Sequence, residues 1–520
     1  MFTTLGNVSK DAAIEQSLRQ FLLVLSVSLG VATTSRVFSW FRQIPYTLLL
    51  VIVGLILASI DVRLINLSPE LILFIFLPPL LFEAAWNIKW SNLKRDLFPI
   101  ALLAIAGVMI TILGVVFSLK LVAGTALSTA LLVGASLSAT DPVSVVALFR
   151  ELGVGKRLTT LMEGESLFND GVAVVAFGLL LGLAMETEQF SVSITLARFL
   201  TVVGVGVAAG ALIGFSISYL TQRFDLPLVE QSLTLVSAYG TYLIAEEFGG
   251  SGVIGVVTVG LVLGNFGSRI GMNPRTRLVV SEFWDFLAFF VNSIVFLLIG
   301  DQIRFASLGE NIEAIGVAIA ALLLTRAISV YSLSTLSNGL VKSEIPWQDQ
   351  TVLWWGGLRG SVSVALALSV PATLEQREEV IAIVFGVMLF TLLVQGLTTK
   401  SLLEKLDRLG DQPLRQEYLQ SVARRIALNR VQEHLSHLMQ RQEVDQEFYE
   451  YQSALIQGQI KNLQDQINHL QNQHPEIREF AEAQLREELL AIEADTYAEL
   501  IRAGQLQDEL TPLLPEALNG

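Results

Sequence analysis

The stretch Glu165-Ser166-Leu167-Phe168-Asn169-Asp170 runs straight into the uncharged residues 171–184, so two carboxylates stand inside an apolar segment long enough to cross a bilayer. An ionisable side chain at hydrocarbon depth costs about 3 kcal/mol or more, and it is tolerated chiefly where it faces a wet cavity or handles an ion. On a helix turning about 100° per residue from Glu165, Asn169 lies near 40°, Ser166 near 100° and Asp170 near 140°. The four polar groups share one flank, and the opposite flank is apolar. A span started at Thr159 puts Asp170 about 16 Å deep, close to the middle of a hydrocarbon layer of roughly 30 Å.

The rest of the chain supplies the membrane context. Of 520 residues, 52% are hydrophobic and only 16% charged, a composition of polytopic membrane proteins rather than of soluble enzymes. Thirteen candidate spans fall near 18–38, 45–60, 69–87, 97–122, 126–149, 159–184, 192–221, 229–247, 252–267, 281–300, 312–335, 350–371 and 379–403. Loops on one side hold most of the basic residues, among them Arg36, Arg42, Lys94, Arg95, Lys156, Arg157, Arg223, Arg275, Arg277 and Lys342. The other side has little beyond Arg63, Lys120, Arg198, Arg304 and Arg377. Cytoplasmic loops collect Lys and Arg, so the amino terminus is expected outside and the carboxy terminus in the cytoplasm. A cleaved signal peptide is the other reading of residues 1–35. Lys10, Asp11, Glu15 and Arg19 ahead of the apolar run, with no clear small-residue cleavage site, favour an uncleaved first span. A plasma membrane is the expected location, as no organelle-targeting segment is visible.

Two spans carry helix-breaking residues at mid-depth. Ala139-Thr140-Asp141-Pro142 interrupts the fifth, since proline offers no backbone donor and disfavours helix at the residue before it. Gly356-Gly357-Leu358-Arg359-Gly360-Ser361 interrupts the twelfth. Spans five and twelve run in opposite directions, and interrupted helices at matching positions of two inverted halves point to a secondary transporter. Either break alone is also explained by close packing or by capping of a half-helix; the pair, with acids at the same depth, favours an ion site. In the third span Pro78-Pro79 bends the helix just before a further acid, Glu83. The expected fold is therefore an all-α polytopic membrane protein with inverted repeats and two interrupted helices, which cross if the resemblance given below holds.

The deep acids are Glu83, Asp141, Glu165 and Asp170, and the deep bases are Arg359 and Arg326. Buried charges persist chiefly as pairs, and Glu165 with Arg359 is the expected structural pair, leaving Asp170 available for chemistry. The chain has no cysteine, and its four histidines all lie beyond residue 430. Hard oxygen donors without thiolate or imidazole suit a sodium-like cation and exclude zinc. One desolvated carboxylate can hold a proton or a monovalent cation but not both well, and that competition is sufficient for exchange. Potassium in place of sodium is the nearest alternative. An ion channel is disfavoured because repeated selectivity-filter loops are absent. An enzyme is disfavoured because no Ser/His pair or metal-ligating histidine stands in the membrane part.

The strings Ala139-Thr140-Asp141-Pro142-Val143, Glu165-Ser166-Leu167-Phe168-Asn169-Asp170 and Gly357-Leu358-Arg359-Gly360, in this order, resemble those of sodium/proton exchangers of the NhaP/NHE type, in the cation:proton antiporter superfamily. The likeness covers roughly residues 15–403. It implies that Asp170 binds the cation or the proton, that Asn169 marks the electroneutral branch, and that Thr140 and Asp141 form the unwound crossover. It further implies Ser166 as a hydroxyl ligand, Glu83 as an acid joining the site, and Glu165 with Arg359 as a structural ion pair. Sodium would then meet Asp170, Glu83, Ser166 and Thr140. The same resemblance implies thirteen helices, a six-helix core moving against a dimerisation domain, a homodimer, and roles in pH homeostasis and salt tolerance. No cofactor is expected beyond the transported sodium and proton, and no nucleic-acid partner.

After the transmembrane antiporter domain, 1–403, comes a cytoplasmic helical tail, 404–520, with 21 acidic and 11 basic residues; much of the net charge of −14 resides there. Leu419, Val422 and Ile426, then Ile456, Ile460, Leu463, Ile467 and Leu470, recur at three- and four-residue spacing, which predicts a helical hairpin seam. Pro475 breaks the pattern, and Leu485, Leu489 and Ile492 are expected to resume it. The tail is read as regulatory. His434, His437, His469 and His474 are either cytoplasmic pH sensors or ordinary solvated side chains, the second being favoured.

Overall fold

The structure, a computed structural model, describes residues 2–37, 45–60, 64, 68–185, 191–221, 226–272, 274–409, 412–440 and 445–502. Of the basic loop residues that carry the orientation argument, Arg42, Arg63 and Arg223 lie outside these. The chain divides into two compact units, Met1–Arg408 and Leu409–Gly520.

Every regular element described in the first unit is a helix, in the order α1 (Phe2–Val37), α2 (Tyr46–Ser59), α3 (Leu77–Asn87), α4 (Trp90–Arg95), α5 (Leu97–Leu102), α6 (Val108–Val122), α7 (Leu127–Ser136), α8 (Val143–Leu152), α9 (Lys156–Ala184) and α10 (Val192–Thr221). It continues with α11 (Pro227–Glu247), α12 (Gly252–Val262), α13 (Pro274–Asp301), α14 (Phe305–Glu310), α15 (Ile312–Val341), α16 (Trp347–Trp355), α17 (Ser361–Leu368), α18 (Arg377–Phe390) and α19 (Gly396–Lys405). Wider π-helical turns at Leu71–Phe76, Leu103–Gly107 and Thr391–Gln395 join elements into longer rods. Among the described residues six helices are long and apolar enough to cross a membrane: Leu97–Val122, Lys156–Ala184, Val192–Thr221, Thr276–Asp301, Ile312–Val341 and Arg377–Lys405. Shorter apolar helices cover Tyr46–Ser59, Leu71–Asn87, Leu127–Ser136 and Gly252–Ser268. A stripe of exposed Ile105, Met109, Leu113, Phe117 and Leu121 runs the length of one such rod at four-residue spacing. An apolar stripe of that length belongs against lipid rather than water.

Packing sorts these helices into two groups. In one, α13 lies along α2, and α10, α11 and α3 surround α12. The approach of α2 to α13 is closest at Gly54, where a Cβ would sit 2.3 Å from the carbonyl oxygen of Leu297. In the other, α15 lies along α6, α7 packs on α6 and α9, and α18 packs on α15 and α17. The two short pairs, α7–α8 and α16–α17, both belong to this second group. Each half-helix has ten or fewer residues, about 15 Å at most, so neither half crosses a bilayer alone.

The second unit contains α20 (Gln412–Gln440), α21 (Gln446–Gln473) and α22 (Pro475–Arg502). The first two form an antiparallel hairpin, seen in Gln432 Nε2 donating to Ser453 Oγ (2.7 Å) and Gln466 Nε2 to Glu417 Oε1 (2.9 Å). Tyr418, Ile467 and Leu470 form a core with Ile477 of α22, and Val422 and Phe480 lie alongside. On α21 the seam follows the expected spacing. On α20 it is displaced: Tyr418 and Ser421 are buried, whereas Leu419 and Ile426 are exposed. The displacement arises because this face is built partly from polar residues, Ser421, Arg425 and Gln432, which a count of apolar positions passes over. Leu485, Leu489 and Ile492 are also exposed rather than seamed. His434, His437 and His469 are exposed and His474 half-buried.

Candidate functional site

Pro142 has no amide to continue a helix, and the backbone unwinds from Leu137 to Pro142. Asp141 Oδ1 accepts the Val143 amide (2.9 Å) and so starts α8. The glycines at 356, 357 and 360 unwind the other pair between Trp355 and Ser361. The two unwound segments cross in contact. The Asp141 amide donates to the Leu358 carbonyl (2.9 Å), and Arg359 Nη1 donates to the carbonyls of Ala139 (2.8 Å) and Ser138 (3.4 Å). Gly360 is required here: a Cβ would fall 1.9 Å from Asp141 Oδ2. Backbone groups freed by the breaks are thus satisfied inside protein, the condition for irregular backbone at hydrocarbon depth.

Helix α9 passes beside this crossing with its polar flank inward. Asn169 is held at both ends: its Oδ1 accepts the Thr140 amide (3.1 Å), and its Nδ2 donates to Thr140 Oγ1 (2.6 Å) and Glu165 Oε1 (3.0 Å). The hydroxyls of Thr140 and Ser166 lie 2.9 Å apart. Asp170 is 6% exposed, and its Oδ1 is buried without a hydrogen-bond partner among the described residues. Asp141, Glu165 and Arg359 are the charged groups that act on it. At the start of α9, Arg157 binds Asp96 (2.7 Å) and donates to the carbonyls of Ser343 and Glu344, which ties this helix to the segment leading into α16.

The ion pair of Glu165 departs from expectation. Its partner is Arg326 of α15, not Arg359: Nη1 donates to Oε1 and Nη2 to Oε2, each at 2.7 Å, with both side chains buried. Arg326 Nη2 also reaches the Leu353 carbonyl (3.2 Å). The physical reason is the second break. Arg359 stands on unwound backbone that crosses the first break, and its guanidinium is taken up by the carbonyls that break exposes. Arg326, on an uninterrupted helix, presents the end of its planar fork to the carboxylate, through both Nη atoms.

Thr140, Asp141, Ser166, Asn169, Asp170, Glu165 and Arg359 therefore share one locality. Glu83 joins a cluster on α3 and α13, where Asn87 Nδ2 donates to Glu83 Oε1 (2.6 Å) and to Asp285 Oδ1 (3.1 Å). Among the described residues no group of three or more His, Asp or Glu is arranged to hold a metal ion. The oxygen donors at the crossing are single carboxylates, hydroxyls and carbonyls, a set suited to a weakly held alkali cation that must leave again. Two residues that the motif reading passed over, Thr391 and Gln395, brace the second break; their signal is a polar pair four residues apart in the otherwise apolar stretch 380–397.

A buried, incompletely satisfied carboxyl beside two crossed, interrupted helices, in an all-helical chain with lipid-facing stripes, defines a secondary transporter of small cations rather than an enzyme. The chain belongs to the sodium/hydrogen exchanger family: residues 24–405 match the family described as "Sodium/hydrogen exchanger, transmembrane". It is 63% identical to the Na(+)/H(+) antiporter ApNhaP of Aphanothece halophytica over 98% of both chains. It is 58% identical to the low-affinity Na(+)/H(+) antiporter NhaS1 of Synechocystis sp., over 98% of this chain and 97% of that one. Its fold is similar to the solved structure of the sodium proton antiporter MjNhaP1 of Methanocaldococcus jannaschii, with TM-score 0.61 and 23% identity over 76% of this chain and 99% of that one.

Proposed function

We propose that this protein is a sodium/proton antiporter that exchanges one sodium for one proton at the carboxyl of Asp170, by alternating access. The observation that carries the reading is a charge balance. At the crossing three carboxyl groups, Asp141, Glu165 and Asp170, face two guanidinium groups, Arg326 and Arg359. One positive charge is wanting, and either a proton or a sodium on Asp170 supplies it. With Glu165 committed to Arg326, Asp170 is the carboxyl free to change guests. Thr140 and Ser166 offer hydroxyl oxygens to the cation, with Asp141 and Glu83 as further acidic groups along its route. Asn169, held by Thr140 and Glu165, keeps α9 registered on the crossover and adds no charge.

The ion series tests the reading. Proteoliposomes with an internal pH dye are given lithium, sodium and potassium in turn. Sodium and lithium are expected to drive proton efflux and potassium to drive little; a response to potassium alone would reassign the cation. In the membrane we assign thirteen spans built as inverted repeats, a six-helix core containing the two crossed pairs, and a homodimer. The amino terminus faces outside and the tail faces the cytoplasm at the plasma membrane. The tail is regulatory. Exchange in this orientation serves pH homeostasis and salt tolerance.

A further inference from the structure

The second break is held from outside by a part of the chain that no motif marks. Where the last long rod passes it, the helix widens into the π-turn Thr391–Gln395. π-turns inside α-helices concentrate at functional sites, since the extra residue re-aims side chains. Thr391 Oγ1 accepts the backbone amide of Arg359 (3.1 Å) and donates to the Met388 carbonyl (2.8 Å). Gln395 Nε2 donates to the carbonyl of Trp355 (3.0 Å), the last residue of α16. Both side chains are buried, Thr391 at 0% and Gln395 at 2% exposure.

The numbers of these contacts show their geometry. Thr391 meets residue 359 and Gln395 meets residue 355, so a four-residue step on one rod matches a four-residue step across the break on its antiparallel neighbour. One rung takes the carbonyl at the end of α16; the other gives the Arg359 amide, between Gly357 and Gly360, its acceptor. Between them lies Leu358, whose carbonyl accepts the Asp141 amide of the other break. Beyond them lies the Arg359 guanidinium, bonded to Ala139 and Ser138. Gln395 Oε1 is buried without a hydrogen-bond partner among the described residues, so this amide serves the break through its donor while its acceptor carries an unmet desolvation cost.

We propose that Thr391 and Gln395 are positioning residues for cation exchange: a two-rung clasp that fixes the span of the second break and, through Leu358 and Arg359, the place of Asp141 and the Thr140 segment against Asp170. The proposal rests on the exchange reading given above, and its test separates the two. Full-length wild type, Thr391→Val, Thr391→Ser and Gln395→Leu are purified, checked for a single size-exclusion peak, and reconstituted. Sodium-driven proton flux is measured over a sodium series, and amide hydrogen exchange over residues 353–362 is followed on the same preparations. Thr391→Val is expected to lose at least tenfold in maximal flux, to shift the sodium KM at least threefold, and to exchange its 356–360 amides at least tenfold faster. Thr391→Ser, which keeps the hydroxyl, is expected to restore all three to within about twofold. Gln395→Leu removes the other rung alone and carries the test if the valine variant does not insert. Wild-type flux and KM in a folded clasp variant overturn the proposal. So does lost flux with unchanged amide exchange, because the loss then does not pass through the break. Absence of flux in wild type overturns the exchange reading instead, and the amide-exchange arm then judges the clasp by itself.

Discussion

Breaking the Glu165–Arg326 pair is the perturbation whose size the structure sets most clearly. Both side chains are buried, 1% and 7% exposed, and joined by two 2.7 Å bonds. Removing one partner leaves the other charge desolvated, which costs about 3–5 kcal/mol. Glu165→Gln leaves the Arg326 guanidinium with neutral carbonyl acceptors only, Leu353 among them, and Arg326→Gln leaves the Glu165 carboxylate with neutral donors, Asn169 among them. Each single variant should therefore lose stability in that range. The double variant Glu165→Gln/Arg326→Gln removes both charges together and should lose clearly less than the sum, a coupling of about 2 kcal/mol, within the range for residues in direct contact. The matching cycle with Arg359→Gln should show less than half of that, since carbonyl groups rather than Glu165 hold that guanidinium. Denaturant unfolding of the purified protein in mild detergent reads both cycles. Additivity within about 0.5 kcal/mol for 165 and 326, or stronger coupling to 359, would refute the assignment of the pair.

Three further outcomes are expected. Gly360→Ala puts a methyl group 1.9 Å from Asp141 Oδ2 at a backbone position outside the left-handed region (φ −140°); it should insert normally and lose at least tenfold in flux, and wild-type flux would show that the crossing tolerates the displacement. A membrane potential is worth about 2.3 kcal/mol per elementary charge per 100 mV, so a one-for-one exchange that moves no net charge should keep its sodium/proton balance point when a potential is imposed; a shifted reversal point would mean a second transported charge. Truncation after Arg408 removes all four histidines, three of them exposed; the pH profile of flux should stay in place, and a displaced profile would make the tail a sensor.

Much of the site can be read from residue types because the local chemistry is strong. Asp141-Pro142 and the three glycines within five residues at 356, 357 and 360 mark helix breaks by their local chemistry, and the flank shared by Glu165, Ser166, Asn169 and Asp170 follows from helical periodicity alone. What depends on how helices meet is hidden from that kind of reading. Two arginines lie deep enough to pair with Glu165, and only the crossing of the breaks shows that Arg359 is occupied by carbonyl groups and Arg326 is not. Glu83 follows a proline pair as expected and meets Asn87 one turn along the same helix, yet Asp285 reaches the cluster only through the packing of α3 on α13. Thr391 and Gln395 read as ordinary polar residues until the π-turn aligns them with the ends of the second break. In the tail, Leu419 and Ile426 misled because the real seam of α20 includes a serine, an arginine and a glutamine that no hydrophobic pattern marks.

The account stands or falls on Asp170 serving two guests in turn. Purified protein in lightly buffered detergent solution, near the midpoint of its proton binding, is given sodium while released protons are followed with a pH dye. Sodium should displace up to one proton per chain from the wild type and none from Asp170→Asn, with lithium behaving as sodium does. Equal proton release from both proteins, or sodium binding to the wild type with no proton leaving, would contradict exchange at this carboxyl.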